Sequence, residues 1–472
     1  MIISLSILLI IAHLIGLALS VIAIWYSRTS QGAFGWAIFL NTMPYIAIPL
    51  YLIFGSHRFH GYTKARRSHS LQVKESINNL STTFEGYLSQ DNEINQQYRC
   101  IQELCGQNLV GKNSIELLID GEPTFSAIIE AINSAKNYVL IEFFIIKDDQ
   151  LGGEVARVLK SAASRGVKVL VLYDAVGSHD LSNSYKNNLL NAGVVIKEFR
   201  TTKHIFRLQV NFRNHRKLVI VDGHLGFTGG LNIGDEYMGR SKRFGHWRDT
   251  FISVQGPAVA YLQLAFYDDW LWASNHPITL NWSPSIDESA KSIVTVIPAS
   301  PADIHETGTL YYGELIRMAK QRIWISSPYL VPDKALINAL LLAVMRGVDV
   351  RIIIPSKKDH FAVFFAAFYY IPILVEAGVK IYRYKDGFLH EKVTLIDDRI
   401  SSVGSMNFDL RSGYLNFEVA AFILDKDFNS QTEAMLQQDI SDSHQFTIED
   451  YHNLPWHYKI FSKITNLFAP IL

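Results

Sequence analysis

Apolar positions are distributed very unevenly along the chain. Residues 2–25 contain no Asp, Glu, Lys or Arg. As a helix this stretch is long enough to cross a hydrocarbon core of about 30 Å. A second uncharged stretch, residues 33–54, holds Asn41, Pro44 and Pro49, all of which membrane helices tolerate. The connection at residues 26–32 is too short for a domain, so residues 1–55 are predicted as a two-helix transmembrane hairpin. A cleaved leader does not fit, because the first stretch lacks a basic flank and its apolar run is too long. Residues 56–110 turn polar and read as a linker or small helical adaptor.

From about Ile115 the pattern changes to α/β. Runs of β-branched residues alternate with helical periodicity, which predicts a largely parallel core sheet. The pattern occurs twice. Ala135-Lys136 precedes YVLIEFFII, and Ala319-Lys320 leads to IWISSPYL. Arg165-Gly166-Val167 opens VKVLVLYD, and Arg346-Gly347-Val348 opens VDVRIIIP. Ala192-Gly193-Val194 and Ala377-Gly378-Val379 introduce the next strands. The same elements in the same order predict two similar half-domains, residues 111–288 and 289–472. The fold class is thus α/β, two repeated half-domains with mixed sheets behind a transmembrane hairpin.

Charge adds an orientation. The inter-helix loop offers Arg28 alone, whereas Arg58, Lys64, Arg66 and Arg67 follow the second span. Positive-inside bias puts everything after about residue 55 in the cytoplasm, and basic residues there favour an anionic phospholipid bilayer. The charged fraction is 19% and the formal net charge zero, which argues against a nucleic-acid partner. Cys100 and Cys105 have no partner cluster, so they read as two reduced thiols.

Each half then carries one polar constellation. The first is Asn214-His215-Arg216-Lys217 with Asp222, followed by Gly229-Gly230 and Asn232. The second is Leu389-His390-Glu391-Lys392 with Asp397, followed by Gly404-Ser405 and Asn407. On a strand, residues i and i+2 share a face, so His215 projects with Lys217 and His390 with Lys392. Asp222-Gly223 is a hairpin signal that folds the chain back and lets Asn232 return to the same place. Two such half-sites would surround one cavity with two imidazoles, two ammonium groups and two carboxamides. That set suits a phosphodiester: one neutral His attacks phosphorus and the other protonates the leaving alcohol. Lys217, Lys392, Asn232 and Asn407 then hold the phosphate oxygens. Neither a metal nor a cofactor is required, because the lysines and the imidazolium supply positive charge.

These paired signatures resemble the phospholipase D superfamily. The run from Gly229 to Tyr237, Trp247-Arg248-Asp249, Ser327-Pro328-Tyr329 and the segment with Gly61-Tyr62 and Ala65-Arg66-Arg67 are similar to its bacterial cardiolipin synthase branch. The resemblance covers nearly the whole chain. It implies phosphatidyl transfer between two phosphatidylglycerol molecules, with release of glycerol. It also implies that a further carboxylate in each half orients that half's own catalytic His, with Asp249 and Glu418 as the candidates. Asp222 and Asp397 complete the signatures and are counted with the catalytic set, although their turn positions favour a hairpin-stabilising role. Alternatives within the superfamily are a lipid hydrolase and a nuclease; a scaffold without activity is disfavoured by the intact His and Lys pairs. A homo-oligomer is compatible with the sequence.

Three weaker expectations remain. His215 is assigned as nucleophile because Arg213, Arg216 and Lys217 surround it. His390 is assigned as acid and then base because Asp386 and Glu391 flank it. The aromatic run at residues 360–371 is either a core helix or a lipid-facing one, with Asp359 and His360 outside the chemistry. The basic runs at residues 203–217 and 240–248 are either head-group attractors or solvated faces, and residues 456–472 read as an interfacial helix.

Overall fold

The computed structural model describes residues 2–27, 30–55, 62, 86–88, 92–200 and 211–469. The basic cluster Arg58, Lys64, Arg66 and Arg67, most of the 56–110 linker and Lys203 lie outside these residues. The uncharged N-terminal sequence forms helices α1 (Ile2–Tyr26), α2 (Ser30–Thr42) and α3 (Pro44–Phe54). Helix α1 is long and apolar enough to cross a membrane, and its large side chains face outward. The second expected span is two helices. The chain leaves helical geometry at Met43, φ −135°, and Pro44 opens the next helix, where its missing N–H costs no bond. Small residues bring α1 and α2 together: a Cβ on Gly16 would lie 2.3 Å from the Leu40 carbonyl oxygen, and Asn41 donates to Ser20 Oγ at 2.7 Å.

The described end of the linker is helical. Asn92–Gln97 and Arg99–Cys105 bury Ile94, Tyr98 and Ile101 against the second half's core. Tyr62 is also buried, its hydroxyl donating to Asp269 at 2.7 Å.

The strands of the first half are β1 (Val110–Ile119), β2 (Tyr138–Phe143), β3 (Lys168–Asp174), β4 (Val195–Phe199), β5 (Leu218–Val221), β6 (Leu225–Gly229) and β7 (Thr250–Gln255). The second half repeats them as β8 (Ser292–Ala299), β9 (Arg322–Ser326), β10 (Asp349–Pro355), β11 (Lys380–Tyr384), β12 (Val393–Ile396), β13 (Ile400–Gly404) and β14 (Asn416–Leu424), with β15 (Ser443–Phe446) added at the edge. One sheet joins both halves in the order β4-β3-β2-β5-β6-β7-β1-β8-β14-β13-β12-β9-β10-β11-β15. The order reads the same outward from the antiparallel β1/β8 pair, so that pair lies on the pseudo-twofold axis.

The expectation of a largely parallel sheet is corrected. Among these fifteen strands, only β2-β3-β4 and β9-β10-β11 pair in parallel. The hairpins after Val221 and Ile396 insert antiparallel strands beside each parallel triplet, because a tight turn can only return the chain antiparallel. The aromatic run forms the helix Phe361–Glu376, which buries Phe365, Phe368, Ile371 and Leu374 but exposes Phe361, Tyr369 and Ile373. The C-terminal helix Trp456–Asn466 packs against it and leaves Trp456, Ile460 and Ile464 exposed.

Candidate active site

The two histidines reach one place because each half lends a short strand to the other. Arg213–Asn214 pairs in parallel with Asn416 and Phe417 of β14, and the His215 N–H donates to the Phe417 carbonyl at 2.9 Å. Phe388–Leu389 pairs in parallel with Trp247–Arg248, and the His390 N–H donates to the Arg248 carbonyl at 2.8 Å. His215 to Lys217 and His390 to Lys392 are irregular segments between these borrowed pairings and the following strands. Alternation still holds across them. Lys217 Nζ donates to the His215 carbonyl at 2.5 Å. Lys392 Nζ donates to the His390 carbonyl and lies 2.9 Å from its Nδ1.

The expected carboxylates are crossed between the halves. His215 Nδ1 meets Glu418 Oε2 of the second half at 3.0 Å, and His390 Nδ1 meets Asp249 Oδ2 of the first at 2.8 Å. The expectation that each half orients its own His is therefore corrected. The borrowed strand pairings bring each imidazole next to the residue that follows the paired dipeptide, Glu418 after Asn416–Phe417 and Asp249 after Trp247–Arg248. The opposite ring nitrogen, Nε2, makes no hydrogen bond among the described residues on either His. Both rings line a cavity of about 350 Å³.

The two carboxylates differ in support. Glu418 accepts from Ser405 Oγ at 2.6 Å, Ser412 Oγ at 2.8 Å and Asn416 Nδ2 at 3.0 Å. Burial opposes its charge, but His215, Lys217 and the Ser405 hydroxyl hold its pKa below the ordinary value. Asp249 accepts from the Thr250 N–H at 2.8 Å and Trp247 Nε1 at 3.4 Å. Where the second half has Ser405, the first has Gly230, on which a Cβ would lie 2.0 Å from Asp249 Oδ1. Burial pushes Asp249 up to about 6, with Lys392 opposing.

Burial also dominates the bases. It lowers His215 to about 4, with Glu418 raising it and Lys217 and Lys392 lowering it further. His390 falls well below its usual value through burial, then Lys392, Lys217 and His215. Lys217 is lowered to about 7 and Lys392 to about 8 by burial, against the pull of the buried carboxylates.

The neighbour argument for telling the histidines apart is corrected. Arg216 turns away into a buried ion pair with Asp269 at 2.7 Å. Glu391 pairs with Arg248 at 2.8 Å, and Asp386 is solvent-exposed, 3.8 Å from His246. Residues adjacent in sequence point to opposite sides here, so none of these three charges meets a catalytic imidazole.

The motif aspartates leave the catalytic set. Asp222, at φ 55°, accepts from the N–H groups of Lys136, Asn137 and Tyr138 at 2.8, 2.7 and 2.8 Å. Asp397, at φ 50°, does the same for Lys320, Gln321 and Arg322. Both lie past the far end of the strand that follows the His, about 20 Å along the chain at 3.3 Å per residue, and neither lines the cavity. Each clamps the entry to a parallel strand.

Asn232 does line the cavity, with its side chain between the Ile145 N–H at 3.1 Å and the Tyr237 hydroxyl at 3.1 Å. Asn407 is buried but is not a lining residue, and its Oδ1 has no hydrogen-bond partner among the described residues. Sequence reasoning missed Phe144, whose ring packs 5.0 Å from His215, and Trp247, 5.2 Å from His390. Asp359 and His360, set aside in the sequence, both line the cavity. Tyr329 hydrogen-bonds Asp359 there.

Known proteins bear on this arrangement. A family model described as "Cardiolipin synthase, PLD-like domain" matches residues 128–262 and 312–440. The proteins named cardiolipin synthase A from Pseudomonas entomophila strain L48 and Pseudomonas syringae pv. syringae strain B728a are 42% and 41% identical, each over 98% of this chain and 97% of its own length. Among solved structures, phosphatidylserine synthase from Haemophilus influenzae Rd KW20 superposes with TM-score 0.62 at 17% identity. That match covers 80% of this chain and all of the other, and it is a likeness of fold.

Proposed function

The chain belongs to the cardiolipin synthase family with phospholipase D-like domains, and from this premise we propose that it joins two phosphatidylglycerol molecules, through a phosphohistidine, into cardiolipin and glycerol. The observation that carries this reading is the crossed pair of histidine–carboxylate contacts, at 3.0 and 2.8 Å, around one cavity.

His215 is the nucleophile. Its carboxylate partner is the better hydrogen-bonded of the two, since Ser405, Ser412 and Asn416 donate to Glu418 and favour its anion. An anionic acceptor on Nδ1 holds the proton there and leaves Nε2 free to attack. It also steadies the positive charge that develops on the ring. Attack on phosphorus breaks the bond to the departing glycerol, whose oxygen takes a proton from His390. His390 is neutral in an empty site, but a bound phosphodiester anion raises its proton affinity. In the second half-reaction the acceptor hydroxyl gives its proton back to His390, its oxygen bonds to phosphorus, and the phosphorus–nitrogen bond breaks. Lys217, Lys392 and Asn232 hold the non-bridging oxygens.

The setting is the membrane. Helix α1 crosses it, α2 and α3 form the return, and the basic cluster after residue 55 favours a cytoplasmic catalytic domain. The exposed Trp456, Ile460 and Ile464, with Lys459 and Lys463 on the same helix, support contact with the lipid interface.

Labelled phosphatidylglycerol in detergent should yield cardiolipin and glycerol in equal amounts. Phosphatidic acid as the main product would replace the transferase with a hydrolase. A quench at alkaline pH, where a phosphohistidine survives, followed by peptide mapping should find the phosphatidyl label on His215; label on His390 would reverse the two roles.

A further inference from the structure

Cardiolipin carries two phosphates on one glycerol bridge, so the acceptor brings a second anion to a site that already holds the first. Lys217 and Lys392 sit beneath the histidines, each donating to a histidine carbonyl, where they serve the donor phosphate. The second anion needs another cation along the same cavity.

Four further basic side chains line that cavity: Lys147, His179, Arg243 and His360. Three of them have a carboxylate. Lys147 pairs with Glu236 at 2.5 Å, His179 with Asp180 at 3.2 Å, and His360 lies 3.9 Å from Asp359. Arg243 has no carboxylate partner among the described residues. Its Nη2 donates to the Asp359 carbonyl at 3.0 Å, and its guanidinium sits 4.8 Å from the Phe244 ring centroid. The neighbouring Lys357 donates to the Phe244 carbonyl at 3.1 Å. These contacts tie the loop bearing Arg243, from the first half, to the loop before Phe361, from the second. They hold a guanidinium at the cavity with donors left over. Such a group suits a bidentate phosphate contact.

We propose that Arg243 binds the phosphodiester of the acceptor phosphatidylglycerol, so that its terminal hydroxyl is presented to the phosphohistidine. The inference rests on the transfer reaction above. In the step it serves, the acceptor hydroxyl oxygen bonds to phosphorus, its proton passes to His390, and the bond from phosphorus to His215 breaks. Free glycerol can also resolve the phosphohistidine, regenerating phosphatidylglycerol, but it carries no phosphate for Arg243 to hold.

That difference is the test. The full-length enzyme in detergent is given phosphatidylglycerol and labelled glycerol together. Cardiolipin formation is then compared with glycerol exchange into phosphatidylglycerol. Arg243→Gln should lower the ratio of cardiolipin to exchange by about tenfold or more, the loss expected for one charge-assisted hydrogen bond. Arg243→Lys, which keeps the charge without the fork, should fall between. An unchanged ratio in both variants overturns the assignment. Loss of both products at an unchanged melting temperature also overturns it, by moving Arg243 to the donor side. A wild-type enzyme that forms neither product would instead sink the transfer reaction itself.

Discussion

Replacing Glu418 with Gln tests the crossed carboxylate most directly. The side chain is fully buried and accepts from four donors: His215 Nδ1, Ser405, Ser412 and Asn416. A Gln fills the same volume but loses the charge and offers one acceptor oxygen. If its NH₂ faces His215, the imidazole must switch tautomer, placing the proton on Nε2 and removing the attacking lone pair. Loss of this kind costs about 10²- to 10⁴-fold in kcat. A second effect follows from charge. Glu418 is the largest influence raising the pKa of both His215 and Lys217. In the wild type, kcat/KM should rise as pH climbs through about 4, where His215 deprotonates. It should fall as pH climbs through about 7 and 8, where Lys217 and Lys392 lose their charge. Without Glu418, the alkaline limb should move to lower pH, because Lys217 sheds its proton more readily. The assay is cardiolipin formation from labelled phosphatidylglycerol in mixed micelles across pH, with the melting temperature measured in parallel. A Glu418→Gln enzyme within about threefold of wild type, with its alkaline limb unmoved, would refute the reasoning.

Other outcomes are expected on the same physical grounds. Asp222→Asn should lower stability by about 1–3 kcal/mol through weaker contacts to three backbone N–H groups, seen as a reduced melting temperature, while kcat/KM stays within a few-fold. A large kcat loss at wild-type stability would return Asp222 to the chemistry. Chelator should leave the chemical step intact, since Lys217 and Lys392 carry the positive charge; a complete loss restored by zinc or magnesium contradicts that. Protease added outside intact spheroplasts should spare the catalytic domain, and its digestion would invert the topology.

Much of this protein was legible along the chain. The duplicated helix–strand order, the Asp222-Gly223 turn and the uncharged N-terminal stretches report local periodicity and turn chemistry, which short-range sterics and burial decide. The histidine and lysine pairs were legible because i and i+2 share a side even where the strand is irregular. The second membrane stretch was legible as apolar but not as broken at Met43, since proline is tolerated both within and at the start of such a helix.

Partnership across the halves was decided only by the fold. Glu418 is 203 residues from His215, and Asp249 is 141 from His390. Their contacts exist because each half pairs a two-residue strand with the other, and two-residue strands carry no periodicity to read. The same holds for charge. Arg216 and Glu391 sit beside the catalytic histidines in sequence, yet they project to the opposite side and are neutralised by Asp269 and Arg248. Sequence by itself determined which chemistry is present. Tertiary structure decided which carboxylate faces which imidazole, because side-chain direction and burial, not proximity along the chain, set the field at a buried group.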